Sequence, residues 1–468
     1  MSGSLDLLLG LDRGRGPLRA QLEDQLRDAV RGGRLGPGAA LPSSRALARE
    51  LGVSRGVVVE AYAQLAAEGY LVARQGAPTR VSEAASPGPG ATPAAAGERP
   101  PRYDFRTGRP DVSLFPRTAW LASLRRALRD APDARLDYGD PRGAPELRGA
   151  LVRYLGRVRG VACDPERVVV TSGMAQGMAI FARALRAGGV RRMAMEDPSS
   201  APGRGQLASN GLEVVPVPVD EDGLQVERLP VARAGRDAAA DDPLGAVMIT
   251  PAHQFPLGVV LAPARRAALL DWAAHAGAVV LEDDYDAEYR YDRPPVGAVQ
   301  GLAPDLVAYA GSTSKTLAPG LRLGWLVVPD HLLDAVTAAK ESDDLGTPVV
   351  EQLALADFLE RGQLDRHLRR TRSVYRARRD ALVDALARLL PDCPPAGVAA
   401  GLHLVVHLPA GADEQAVLDA ARSRGLGLSG ISEHRVEPGP PALLLGYGRL
   451  PEPAIEAAVR LLADSLRP

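Results

Sequence analysis

Of the 56 lysines and arginines in this 468-residue chain, only Lys315 and Lys340 are lysines. Arginine serves wherever a general positive charge suffices. A lysine kept between Ser314 and Thr316, in GSTSKTLAPGLRLGW, therefore suggests a task that arginine cannot perform. An amine can lose its proton and attack an aldehyde, whereas a guanidinium in a protein stays charged. Other reactive types stand at telling positions. Asp283 and Tyr285 end the apolar run AVVLEDDY, some thirty residues before Lys315. Ser312 and Ser314 flank the lysine, and Arg322 follows it by seven residues. TSGMAQG, with Gly173, Met174 and Ala175, stands between an apolar run and a helical stretch. Backbone N–H groups and a helix dipole at such a junction can hold a phosphate.

Together these groups supply what pyridoxal 5′-phosphate needs. Lys315 offers the amine for a Schiff base. Asp283 offers a carboxylate that keeps the pyridine nitrogen protonated and strengthens the electron sink. Tyr285 offers a phenol to the ring oxygen. Ser312, Ser314, Arg322 and the residues 173–175 offer a phosphate cradle. Asp284, Asp286 and Glu288 crowd the same stretch and read as loop charges, since one carboxylate is enough for the pairing. His403 and His407, in GLHLVVHLP, read as packed polar residues of a strand, while His253 in PAHQFPLG falls near the cofactor.

The elements that must position these groups follow from hydropathy. RVVVTSG, RRMAMEDP, GLEVVPVPVD, GAVMITP, AVVLEDDY and LVAYAGS are short apolar runs ending at polar loops, separated by helical stretches such as APARRAALLDWAAHAG. Near-continuous apolar runs suit buried parallel strands, with active groups at their carboxyl ends. The fold class expected for the large C-terminal part is α/β.

Ahead of it lies a different pattern. PLRAQLEDQLRDAVRGGR places Leu18, Leu22, Leu26 and Val30 at a helical spacing of four. Ser43 can cap a short helix ending near Gly52, and Ser54 a second one that buries Val58, Ala61 and Leu65. The join LGVS has helix-turn-helix spacing. GYLVARQGAPTRVS then reads as strand, turn at Gly76, strand. Over residues 1–82 eleven arginines face eight acids, so this segment is mildly basic. Residues 83–101, rich in Pro, Ala and Gly, cannot bury enough surface to offset their ordering entropy and read as a tether. The expected boundaries are 1–82, 83–101 and 102–468.

Bulk properties narrow the function classes. A net charge of −1 gives no global pull toward nucleic acid or membrane, so a DNA-binding surface must be local. Cys163 and Cys393 are the only cysteines and lack metal-ligand spacing, which argues against a disulfide framework or zinc site. No leader-like segment and no membrane-length apolar run stands out, and a cytoplasmic location is the expectation.

LPSSRALARELGVSRGVVVEAYAQLAAEGYL resembles the winged helix-turn-helix of GntR-family transcription regulators across residues 17–82. The resemblance implies phosphate-backbone contacts from Ser43 and Arg45. It places Ser54, Arg55 and Gly56 at the start of the recognition helix, and Gly76 at the wing. YDFRTGRPDVSLFP, DYGDPRGAPELR, TPAHQFPLGVVL and SKTLAPGLRLGW resemble the fold-type-I aminotransferase domain over residues 103–450. That likeness implies a mainly parallel sheet and the roles given above for Lys315, Asp283, Tyr285, Ser312, Ser314, Arg322, Gly173, Met174 and Ala175.

The two in this order resemble the MocR/PdxR subfamily of regulators. This implies a homodimer, with head-to-tail as one arrangement, and an operator in double-stranded DNA. It also implies pyridoxal phosphate as effector, with an amino acid or amine as a further one, acting on vitamin B6 or amino-acid and amine genes. Two departures stand out. Ser199 and Ser200 replace the usual Gly-Tyr before Arg204, so an aromatic group is missing there. The strand PALLLGYG lacks the arginine with which catalytic aminotransferases bind an α-carboxylate; Ala442 begins it, and Arg435 lies nearby. The alternatives to a regulator are a working aminotransferase with an appended DNA-binding domain, and a repressor whose large domain only dimerises.

Overall fold

The computed structural model describes residues 9–74, 77–83, 100–230, 244–292 and 296–466. The chain divides into two compact units, Met1–Pro100 and Pro101–Pro468.

The first unit has three helices, α1 (Leu18–Arg31), α2 (Ser44–Glu50) and α3 (Arg55–Ala67), then an antiparallel ribbon pairing Leu71–Val72 with Arg80–Val81. The stripe on α1 buries Leu22, Leu26 and Val30, while Leu18 in the first turn is half-buried. Val58, Ala61 and Leu65 of α3 face the same core, with Leu47 of α2, Leu71 and Val81. A fully buried leucine contributes about 1.5–3 kcal/mol, which lets three short helices share one core. The chain leaves α2 through Gly52 at φ 63, a left-handed conformation that glycine adopts without steric cost. Gly76, expected at the wing turn, and linker residues 84–99 lie outside the described residues.

The second unit is built on an eight-stranded sheet. Its order is Val168–Thr171, Gly324–Val327, Val307–Ser312, Val279–Asp284, Leu244–Ile249, Arg192–Asp197, Glu213–Asp220 and Gly223–Leu224. The five strands from Val307–Ser312 to Glu213–Asp220 run parallel; Gly324–Val327 and Gly223–Leu224 are antiparallel to their neighbours. Period-two alternation sends Met193, Met195, Met248, Leu281 and Ala308 to one core, and Ala194, Val247, Val280 and Val307 to another. Both faces are covered, which explains the near-continuous apolar runs. A four-stranded sheet, Pro395–Ala396, His403–His407, Ala442–Gly446 and Ser429–Gly430, packs into a further core. No helix among the described residues is long and apolar enough to cross a membrane.

Candidate functional site

Parallel strands bring Thr250, Asp283 and Ser312 to one carboxyl edge of the large sheet. A cavity of about 440 Å³ opens there. Lys315 reaches it from the turn after Val307–Ser312. That turn is pinned at both ends. Thr313 donates to the Leu323 carbonyl from its N–H (3.0 Å) and its hydroxyl (3.1 Å). Nε2 of His367 lies 2.8 Å from the Thr316 carbonyl. Lys315 Nζ donates to the Gly108 carbonyl at 2.6 Å. Burial pushes its amine pKa down, partly opposed by Asp286 and Asp283.

Asp283 lines the same cavity. Its Oδ1 is buried and has no hydrogen-bond partner among the described residues. Burial, and then the nearby Asp284, push its carboxyl up to about 8. Tyr285, just past the strand end, holds its hydroxyl 3.0 Å from His253 Nδ1, and that nitrogen lies 3.2 Å from both Asp286 oxygens. His253, Asp286 and His403 thus place ligand-type atoms within 4.8 Å of one another. Nδ1 of His253 is engaged by Asp286 and Tyr285, and Nε2 of His403 by the Pro256 carbonyl.

The phosphate-type groups converge from two sides. Ser312 and Ser314 line the cavity, as do Met174 and Ala175 in the first turn of the helix Met174–Ala187. Gly173 caps that helix at φ 88, and a Cβ there would lie 2.7 Å from the Arg322 guanidinium. Arg322 adopts φ 51, unusual for a side chain with a Cβ, and donates to the Ser172 carbonyl at 2.5 Å. Neither Gly173 nor Arg322 is among the residues that line the cavity, and Arg322 is exposed beside the helix N-terminus.

Three expectations need correction. Asp284 and Asp286 are not loop charges. Asp284 is buried against Arg159 at 2.6 Å and accepts from the Tyr309 hydroxyl at 2.7 Å; Asp286 is buried against His253. Glu288 is half-buried, and burial with the neighbouring Asp284 raises its carboxyl to about 7. A buried charge needs a partner, and these partners are distant in sequence. His403 is packed as expected, but His407, at the strand end, is exposed.

The missed cavity residues are Gly108, Thr250, Phe255 and His434. RTGRP, with two glycine and proline turn signals, could have pointed to Gly108. Ser199 and Ser200 line the wall as the sequence suggested. Arg435 does not line the cavity; its guanidinium lies against Gly439. Among the described lining residues there is no arginine.

In the N-terminal unit, Ser43 caps α2, its Oγ accepting from the Ala46 N–H at 3.2 Å. Arg45 is exposed and forms no ion pair among the described residues. Ser54, Arg55 and Gly56 are exposed together at the start of α3. Arg55 Nε lies 3.4 Å from the Ser44 hydroxyl. Ser54 holds the capping position, but its hydroxyl makes no capping bond.

Residues 105–439 match the aminotransferase class I and II family, and residues 18–81 match the gntR family of bacterial regulatory proteins. The chain is 33% identical to the probable rhizopine catabolism regulatory protein MocR of Rhizobium meliloti, covering 98% of this chain and 96% of that one. It is also 33% identical to the HTH-type pyridoxine biosynthesis transcriptional regulator PdxR of Corynebacterium glutamicum, covering 95% of each. A solved kynurenine aminotransferase of Pyrococcus horikoshii superposes with a TM-score of 0.70 at 26% identity, covering 78% of this chain and 90% of that one. The chain belongs to the MocR/PdxR-type transcription regulators, in which a gntR-family DNA-binding domain is joined to a class I and II aminotransferase domain.

Proposed function

We propose that this chain regulates transcription in response to pyridoxal 5′-phosphate held at Lys315. The carrying observation is the pairing, in one cavity, of the Lys315 amine with the orphaned Asp283 oxygen. A buried unpaired oxygen is costly, and a protonated ring nitrogen is the donor that relieves it. The donor set fits the rest of the molecule: Tyr285 for the ring hydroxyl, and Ser312, Ser314 and the N–H groups of Met174 and Ala175 for the phosphate. Gly173 and Arg322 stand beside that cradle. When bound, the cofactor supplies an aldehyde that captures amines. Lys315 contributes a nucleophilic amine whose proton is loosened by burial. Asp283 would face the ring nitrogen of the bound cofactor, where a carboxylate favours the protonated ring. His253, set by Asp286, orients the Tyr285 hydroxyl.

Operator binding belongs to residues 1–82, joined by 83–101 to the cofactor-binding residues 102–468. Ser43 and Arg45 take phosphates, Ser54, Arg55 and Gly56 enter the major groove, and Gly76 serves the wing. The chain acts in the cytoplasm, on vitamin B6 or amino-acid and amine genes. A homodimer is part of the reading. Leu121 and Leu128 are exposed two turns apart on the helix Arg117–Asp130, and Leu136, Tyr138 and Leu345 are exposed nearby in the unit. Such apolar exposure suits a covering second copy. The lack of a lining arginine in the described cavity favours regulation over transamination of amino acids. His403, held down to about 4 by burial, does not replace it as a cation.

The test is operator binding by the full chain across a titration of pyridoxal phosphate, with borohydride reduction and mass spectrometry of the peptide carrying Lys315. The cofactor should become fixed to Lys315 and shift operator affinity. No fixation, or fixation with unchanged operator binding, overturns the reading.

A further inference from the structure

A second cavity, of about 300 Å³, borders the segment that carries Asp283 and Tyr285. Successive strand residues point to opposite faces. Asp283 turns into the Lys315 cavity, and Asp284 turns to Arg159. The second cavity is framed by the C-terminal turns of the helix Pro145–Arg159, by Glu288, and by the first turns of the helix Gln363–Leu389.

Its polar groups are unbalanced in one direction. Tyr154 and Arg159 both line it and are 5% and 1% exposed. The Tyr154 hydroxyl and Arg159 Nη2 are buried without a hydrogen-bond partner among the described residues. The other Arg159 nitrogens are engaged, Nε by Asp284 at 2.6 Å and Nη1 by the Val296 carbonyl. Both orphans can donate, and a buried donor left unpaired is costly; Asp284 Oδ1, behind Arg159, is likewise buried without a hydrogen-bond partner among the described residues. Three more guanidiniums line the same space. Arg157 pairs with Asp365 at 2.8 Å, Arg372 donates to the Glu288 carbonyl at 2.7 Å, and Arg369 is exposed. Against these four arginines stand only Asp365 and Glu288 as lining acids, with Asp284 behind Arg159. The Glu288 carboxyl, raised to about 7, is about half ionised at neutral pH, so the four guanidiniums still outnumber the negative charges.

A water molecule could accept from both donors but would neutralise none of the excess charge. An oxyanion satisfies both, because its oxygens accept from a phenol and a guanidinium at once. The geometry points to a second ligand site, one that takes a small oxyanion, a phosphate or the phosphate group of a small metabolite ester, between Tyr154, Arg159 and Arg369. The volume leaves room for a short organic body beside a phosphate. Residues 283–288 contribute to both cavities, so this anion site shares a segment with the cofactor site.

The test is calorimetric titration of inorganic phosphate, at low salt, into the full chain saturated with pyridoxal phosphate, so that the Ser312–Ser314 cradle does not compete. Wild type should bind one phosphate per chain. Tyr154→Phe, which keeps the ring and the packing, and Arg369→Ala, at an exposed position, should each weaken it by about tenfold, the scale of one lost charge-assisted hydrogen bond. Arg422→Ala, which removes an exposed arginine that lines neither cavity, should leave it unchanged. Tyr154→Phe should melt no lower than wild type without phosphate and should lose the stabilisation that phosphate gives. Glycerol 3-phosphate binding more tightly than phosphate would identify an ester as the ligand, and weaker binding the free ion. Absence of a phosphate heat, or phosphate affinity unchanged in both Tyr154→Phe and Arg369→Ala, overturns the site. Phosphate binding that further pyridoxal phosphate displaces, and that is unchanged in Tyr154→Phe and Arg369→Ala, would instead place the ion in the Ser312–Ser314 cradle, which separates failure of this site from failure of the cofactor reading.

Discussion

The polar groups open to a ligand lie on the outside of the N-terminal unit and within a cavity in the large unit. Arg45, Arg55 and the Ser54 hydroxyl are exposed and have no carboxylate partner. Asp283 Oδ1, without a partner among the described residues, and the Lys315 amine, which donates to the Gly108 carbonyl, line one cavity. Where unpaired groups are placed tells what kind of ligand they can serve. Exposed guanidiniums suit an extended polyanion, whose affinity comes from many screened contacts. A buried carboxylate oxygen suits a small molecule that brings its own proton donor. The contrast implies that the two regions can be damaged separately, each changing one readout and sparing the other.

The largest separation should come from Lys315→Ala. Borohydride should no longer fix pyridoxal phosphate to the chain, a complete loss, while the melting temperature stays close to wild type, because the side chain projects into a cavity rather than filling a core. Operator affinity without cofactor should be unchanged, and its response to cofactor should vanish, since a ligand shifts an equilibrium only by its differential affinity. A cofactor response preserved in this variant would mean that the covalent link is not the signal.

Asp283→Asn should act next most strongly. The amide keeps the shape but cannot offer an anion to the ring nitrogen, so cofactor affinity should fall by about 1.5–3 kcal/mol, the worth of a hydrogen bond to a charged group. Fluorescence titration of the cofactor measures this. The same variant carries a pH test. The Asp283 carboxyl titrates at about 8 in the folded chain, against about 3.9 when exposed. The folded chain therefore holds a proton that the unfolded chain has lost. Its contribution to stability is full below pH 4 or so and is lost as pH rises through about 8. Melting of the cofactor-free protein should thus decline between about pH 4 and pH 8 less steeply in Asp283→Asn than in wild type. Equal slopes would place the unpaired group elsewhere.

These tests use residues that were legible in the sequence, and the reasons are physical. Lys315, Asp283 and Tyr285 announce themselves because strand ends and rare residue types are local features. The α1 stripe and the Ser43 cap depend on neighbours within four residues, so periodicity finds them. What remained hidden is long-range pairing. Asp284 looked like a loop charge because its partner Arg159 lies 125 positions away, and no local pattern marks a buried ion pair. His253 acquires a defined neighbour only when the fold brings Asp286 and Tyr285 to it. Arg322 could be expected near a phosphate, but not its φ of 51 or its place beside Gly173. Ser54 shows the reverse case: a capping position can be read from sequence, while the capping bond depends on a rotamer.

On the exposed side of the comparison, Arg55→Ala should reduce specific operator binding by about 1–3 kcal/mol, the range for one bidentate base contact. Arg45→Ala should weaken binding evenly across sequences and lower the salt slope by about one. Neither should alter cofactor attachment. Binding of both variants like wild type would move the DNA-facing surface away from the start of α3.

The smallest effect separates a structural serine from a DNA-contacting one. Ser43 Oγ accepts from the Ala46 N–H at 3.2 Å, one of the N–H groups that a helix start leaves unsatisfied. Ser43→Ala should therefore cost about 1 kcal/mol of stability in the N-terminal unit. Ser43→Asp restores a capping acceptor and adds a negative charge at the helix N-terminus, which stability favours. DNA should not favour it, because that charge would face a phosphate. If Ser43 only caps, operator binding should recover in Ser43→Asp along with the melting temperature. If it also meets the backbone, as proposed, the aspartate should melt like wild type yet bind the operator more weakly than Ser43→Ala, most clearly at low salt where the repulsion is least screened. Full recovery of binding in the aspartate would reduce Ser43 to a cap and leave Arg45 and Arg55 as the anchors of that surface.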